Sequence, residues 1–182
     1  MSVLTLPHRQ TSRESRHQRR AERRRLERAD AASVRLAELQ AMGSLLERAA
    51  DVVAGGWVQG AWFTVGTRHG SRDVTAYEMR LATRRPVIGA CLVGAVVDAG
   101  GGPAAVESQL VRRSLDATWH ALNGSPGEDV RWCPGPDVRM LHVLDLTRWN
   151  DAPGRTQSEV VGLLAAARQV AERERGRFRS EV

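Results

Sequence analysis

At 182 residues with 42% hydrophobic content, the chain suits one domain with tails. All 27 of its basic residues are Arg and the formal net charge is +6, while two cysteines are too few for a disulfide framework and lack paired zinc-ligand spacing. The start "MSVLTLPHRQ" has no apolar signal-peptide core, and the longest apolar run, Val87 to Val97, falls short of the about 20 residues a bilayer crossing needs, so a soluble, cytoplasmic protein with no membrane contact is expected.

The positive charge sits at the ends. Residues 1–30 hold nine Arg against four acids and residues 168–182 five against three, whereas 31–167 hold thirteen against fourteen. The first 30 residues have almost no large apolar side chain, only Leu26 in the stretch from Arg9, and no aromatic. They read as a basic arm, disordered or drawn out as a helix, because they bury too little surface to offset the entropy of ordering while Ala, Arg and Glu favour helix.

A helical domain is expected over 31–170. From about Ala31 the spacing of Leu39, Met42, Leu46, Ala49 and Val53 predicts an amphipathic helix that Gly55 and Gly56 end. Residues 61–82 suit a short β-hairpin around "TRHGSRD", with Tyr77, Met79 and Leu81 in alternation, or an irregular loop. Pro86 then opens "VIGACLVGAVVDAGGG", read as a short buried helix, and Pro103 opens another running to about Asn123. After a turn-rich loop, "VRMLHVLDL" reads as a short helix or strand. Thr156 and Glu159 form a capping box for a last helix, whose end, 171–182, reads as a basic tail. The expected architecture is mainly α, a compact bundle of about five helices.

Three stretches in order, "GWVQGAW" (Gly56 to Trp62), "ACLVGAV" (Ala90 to Val96) and "WNDAPGRTQSEV" (Trp149 to Val160), resemble a family of small actinobacterial and phage domains of unknown function. The resemblance spans roughly 36–170, implies one mostly helical domain, and transfers no catalytic residue.

Arg13, Arg16, Arg19, Arg20, Arg23, Arg24, Arg25 and Arg28 offer fork-shaped donors to phosphate oxygens. They lie on every side of the notional helix, which argues against a membrane-surface helix. Without an aromatic, contact with nucleic acid or a ribonucleoprotein would be by backbone charge and without sequence specificity. The alternatives are a solubilising tail, an arm for an acidic protein, or an adaptor or oligomerisation module pairing through helix 31–54.

A second alternative is a hydrolase. Cys91 near a helix start, with His142 and then Asn150 or Asp151 downstream, follows the order of thiol hydrolases. The apolar setting "VIGACLVGAVV" favours a structural thiol instead. A groove lined by Trp57, Trp62 and Trp149, with Gln59 and Asn150 as polar handles, is a further candidate. Its rival is plain core packing. His69, His120 and His142 show no i, i+4 partner or acidic companion, so no metal and no cofactor is expected. The leading expectation is a non-enzymatic binding protein.

Overall fold

The computed structural model describes residues 10–125, 127–130, 132–133 and 135–181, with side chains except those of 10–16, 81 and 181. The first helix, α1 (Gln10–Gly55), runs unbroken for 46 residues. No proline interrupts it, and its Ala, Arg, Leu and Glu are the strongest helix formers. The described part of the basic arm is therefore the front of α1. Among the described side chains of α1, Ala32 is the first that is buried, and all of those from His17 to Ala31 are exposed.

From there the expected stripe turns inward. Leu39, Met42, Leu45, Leu46, Ala49 and Val53 are buried against the rest of the chain, each large side chain worth roughly 1.5–3 kcal/mol of removed apolar surface. The face considered for pairing with another chain thus has an occupant within this one.

A hairpin follows, β1 (Phe63–Thr67) with β2 (Gly70–Val74), in antiparallel register from Phe63 opposite Val74 to Thr67 opposite Gly70. The alternation expected for Tyr77 and Met79 does not occur. Ala76 to Glu78 form a 3-10 turn that leads into the one-turn helix α2 (Met79–Ala82), and Tyr77 is 100% exposed.

The stretch after Pro86 divides differently from the expected single helix. Val87 to Ala90 form β3 (Val87–Ala90) on the free side of β1, giving a three-stranded antiparallel sheet of order β2-β1-β3. Only at Leu92 does α3 (Leu92–Ala99) begin. Val87 and Ile88 are β-branched, which suits a pleated, half-buried strand. Leu92 to Val97 are all buried, as expected of an apolar segment, because α3 packs against α1, α4 and α5.

Pro103 to Glu107 make a 3-10 turn, and the α-helix itself, α4 (Gln109–Asn123), starts after Ser108, whose hydroxyl accepts from the Val111 N–H at 3.3 Å. "VRMLHVLDL" is the middle of a helix, α5 (Pro136–Asn150), opened by Pro136 at its first position. Gly154 at φ +80° shapes the turn into α6 (Gln157–Glu181). There the Thr156 N–H donates to Glu159 Oε2 at 2.8 Å and the Glu159 N–H to Thr156 Oγ1 at 3.3 Å, the reciprocal capping box read from sequence. The C-terminal basic stretch continues α6 to Glu181.

Helix α6 runs back along α1. Gln157 Nε2 donates to the Val53 and Ala54 carbonyls at 2.6 and 3.1 Å, satisfying orphan acceptors at the end of α1, and Arg168 meets Glu47 at 2.9 Å further along. Phe178, near the end of α6, borders an open groove whose other wall is the front of α1. No described helix is long and apolar enough to cross a membrane.

Candidate functional site

The three sequence motifs meet at one buried amide. Asn150, the last residue of α5, is 0% exposed. Its Oδ1 accepts from the Trp57 indole N–H at 2.9 Å and from the Leu92 backbone N–H at 3.0 Å. Its Nδ2 donates to the Val58 carbonyl at 3.1 Å and to Asp151 Oδ1 at 2.7 Å. The Asn150 carbonyl itself accepts from Gln59 Nε2 at 2.8 Å, and Asp151 Oδ1 also accepts from the Gly60 N–H at 3.1 Å. One side chain thus ties the loop after α1, the start of α3 and the end of α5, with both of its donors and both lone-pair directions of its acceptor engaged.

Two glycines permit this closeness. A β-carbon on Gly94, inside α3, would collide with the Trp62 carbonyl oxygen, and one on Gly56 would collide with the Ile88 carbonyl. Trp149 sits under the Arg155 guanidinium, 3.9 Å from the ring centroid, while Arg155 Nε donates to the Trp149 carbonyl at 3.1 Å. Of the tryptophans and polar handles named from sequence, hydrogen bonds bring together Trp57, Gln59 and Asn150. Trp57, Gln59 and Asn150, however, spend their polar atoms on one another and on backbone, with Trp62 half-buried alongside.

Cys91 adjoins this assembly as the residue before α3. It is 1% exposed, and its Sγ accepts from the Gly94 N–H at 3.4 Å as a helix cap. Burial first of all, with Asp151's charge adding to it, pushes the thiol up from 9.0 to about 11, although the Gly94 and Val93 N–H groups pull the other way. A thiol held protonated in this way is a poor nucleophile.

His142 is not part of that neighbourhood. It lies two turns back along α5, roughly 12 Å of helix rise from Asn150. Its ring stacks on Trp119 with centroids 3.9 Å apart and planes 13° from parallel. Its Nδ1 faces Asp116 Oδ1 at 3.6 Å, and Cys133 completes a group whose donor atoms all lie within 4.8 Å of one another. The acidic companion not found near His142 in the sequence comes from α4, and the thiol beside it is Cys133 rather than Cys91. Asp116 Oδ2 accepts from the Cys133 N–H at 3.3 Å and meets Arg139 Nη2 at 3.4 Å. Asp116 Oδ1 and His142 Nδ1 are buried with no hydrogen-bond partner.

Sequence reasoning missed Asp116 and Cys133 because three different elements supply the group and no short spacing encodes it. One signal was present: Asp116 is the single carboxylate of α4 and sits between Leu115 and Ala117 in the sequence.

A family model described as a family of unknown function (DUF6197) matches residues 37–170. The chain belongs to this family. No curated protein and no solved structure matches it.

The DUF6197 region holds the Asn150 assembly and the Asp116 group, and it stops short of the basic front of α1. In that front, Arg19, Arg20, Arg23, Arg24, Arg25 and Arg28 are all exposed, against three acids, Glu22, Glu27 and Asp30. At 100° per residue these arginines spread over roughly two thirds of the helix circumference. Arg23 Nε pairs with Glu27 at 3.3 Å, a solvent-exposed i, i+4 contact of the kind that gives a helix only a few tenths of a kcal/mol. Between this front and the end of α6 lies an open groove of about 790 Å³, bordered by Arg24, Arg25, Arg28 and Phe178. Arg173 and Arg179 are exposed on the same terminal stretch of α6. The side chains of Arg13 and Arg16 lie outside the described residues.

Proposed function

We propose that the protein is a non-enzymatic binding module that grips the sugar-phosphate backbone of nucleic acid with the front of α1. The observation that carries this reading is the display of Arg20, Arg24, Arg25 and Arg28, all exposed, on a single helix that extends past Ala32, the first buried among its described side chains. Guanidinium forks match phosphate oxygens, and a preformed helix spares the ordering cost a flexible arm would incur on binding. The arginines' spread around the helix favours a polyanion that can be approached from several sides over a flat membrane surface. Residues 17–31 contain no aromatic, so neither stacking nor an aromatic wedge contributes, and recognition would be indifferent to sequence.

The test is fluorescence anisotropy with two duplexes of unrelated sequence and one RNA. The intact chain should bind both duplexes with similar affinity. The chain carrying Arg20→Gln, Arg24→Gln, Arg25→Gln and Arg28→Gln should bind each of them at least ~10-fold more weakly, since four phosphate contacts and their counterion release are lost. Equal binding by the substituted chain would refute the reading.

A further inference from the structure

We propose that Asp116, Cys133 and His142 form a three-ligand site for a zinc-class divalent ion, a site separate from the arginine helix. The donor set is one carboxylate oxygen, one thiolate sulfur and one imidazole nitrogen, which suits zinc or cobalt over the oxygen-seeking calcium and magnesium.

The geometry points to a shared ion more than to a hydrogen bond. His142 Nδ1 and Asp116 Oδ1 are 3.6 Å apart, too long for a good N–H···O bond, and neither has another partner although both are buried. Two ligand atoms on a tetrahedral ion at zinc-like bond lengths stand about 3.4 Å apart. The thiol needs only a modest inward movement, because all three donor atoms already lie within 4.8 Å of one another.

The surroundings orient each ligand. Asp116, 1% exposed, is steadied through its other oxygen by the Cys133 N–H at 3.3 Å and Arg139 at 3.4 Å, leaving Oδ1 to bind end-on. Trp119 fixes the plane of the His142 ring by stacking, and is itself held by its indole N–H donating to Asp145 Oδ2 at 3.1 Å. Cys133 Sγ lies 3.0 Å from the Gly135 carbonyl, to which its S–H donates. On metal binding that S–H bond breaks, a sulfur–metal bond forms, and one proton per ion passes to solvent. The two anionic ligands offset the two charges of the divalent ion, and the Arg139 guanidinium stays on the other oxygen of Asp116. Three protein ligands leave a fourth position for water or an incoming ligand, and Cys133, half-exposed, marks the side from which an ion would enter.

The test is titration of the full chain with cobalt(II), followed by displacement with zinc. The expected result is one ion per chain, a near-ultraviolet thiolate-to-cobalt absorption, and release of one proton per ion. Cys133→Ser should abolish that absorption, and Cys91→Ser should retain it. His142→Asn and Asp116→Asn should each weaken binding at least ~100-fold, beyond the 10–100-fold that loss of a mere supporting residue costs. Zinc should raise the unfolding temperature of the intact chain and leave that of the Cys133→Ser chain unchanged. Absence of stoichiometric cobalt binding by the intact chain would overturn the site, as would a thiolate band that survives Cys133→Ser.

Discussion

The Trp57 indole donates to Asn150 Oδ1 at 2.9 Å, joining residues 93 positions apart. That bond links the end of the long first helix to the end of α5, and the same oxygen also receives the Leu92 N–H that opens α3. Asn150 is a structural fastener, and Asp151 supports it by accepting from its amide.

Replacing Asn150 by Ala should therefore strip partners from the Trp57 and Leu92 N–H groups and the Val58 carbonyl at once. The expected loss is about 3 kcal/mol or more, read as a lower urea midpoint. Asn150→Asp keeps the shape but loses the donors, and sets a second carboxylate beside Asp151. It should be destabilised at neutral pH and recover partly in acid, where a protonated acid regains one donor. A midpoint unchanged in Asn150→Ala would remove the fastener role.

Two glycine substitutions in helices should have opposite signs. Gly94→Ala places a methyl against the Trp62 carbonyl and should cost about 1–3 kcal/mol, in spite of alanine's better helix propensity. At Gly162 in α6 a β-carbon meets nothing within 4 Å, so Gly162→Ala should stabilise by roughly 0.5–1 kcal/mol. Thermal denaturation of the two variants side by side checks both signs. A stabilised Gly94→Ala would mean that α3 can move away from Trp62.

Much of this was legible in the sequence where a local pattern carries it. Leu39, Met42, Leu46, Ala49 and Val53 lie buried on one face at their expected spacing, and Thr156 with Glu159 caps α6 as read. Val87 to Ala90 were not legible as a strand, because a short apolar run reads alike as strand or buried helix. Its partner β1 decides the matter, through a pairing of Phe63 with Ala90 that no local window contains. The same limit hid Asp116 and Cys133. The residues that make up the Asn150 assembly could be named in advance, but not the fact that their polar groups satisfy one another.

Cys91 gives the fold a measurable alkaline dependence. Its thiol is favoured in the protonated form by burial, with a folded value of about 11 against 9.0 for the exposed group. Between these values the unfolded chain loses its proton first, so the folded state binds more protons and stability falls as pH rises. The contribution is fully present below about pH 9 and is lost as pH rises through about 11, a change of about 3 kcal/mol. Urea titrations across that window should show the decline in the intact chain and its reduction in Cys91→Ala. In the native state a thiol reagent near neutral pH should label half-exposed Cys133 well before Cys91, and faster labelling of Cys91 would contradict its burial.

The most direct test of the proposed function is the salt dependence of nucleic-acid binding by the intact chain. Each phosphate contact contributes about −0.9 to the slope of log K against log salt on duplex DNA. The account predicts a slope of about −4 or steeper, made shallower by roughly one unit for each of Arg20, Arg24, Arg25 and Arg28 changed to Gln. A slope near zero, or a steep slope that these four substitutions leave unchanged, would contradict it.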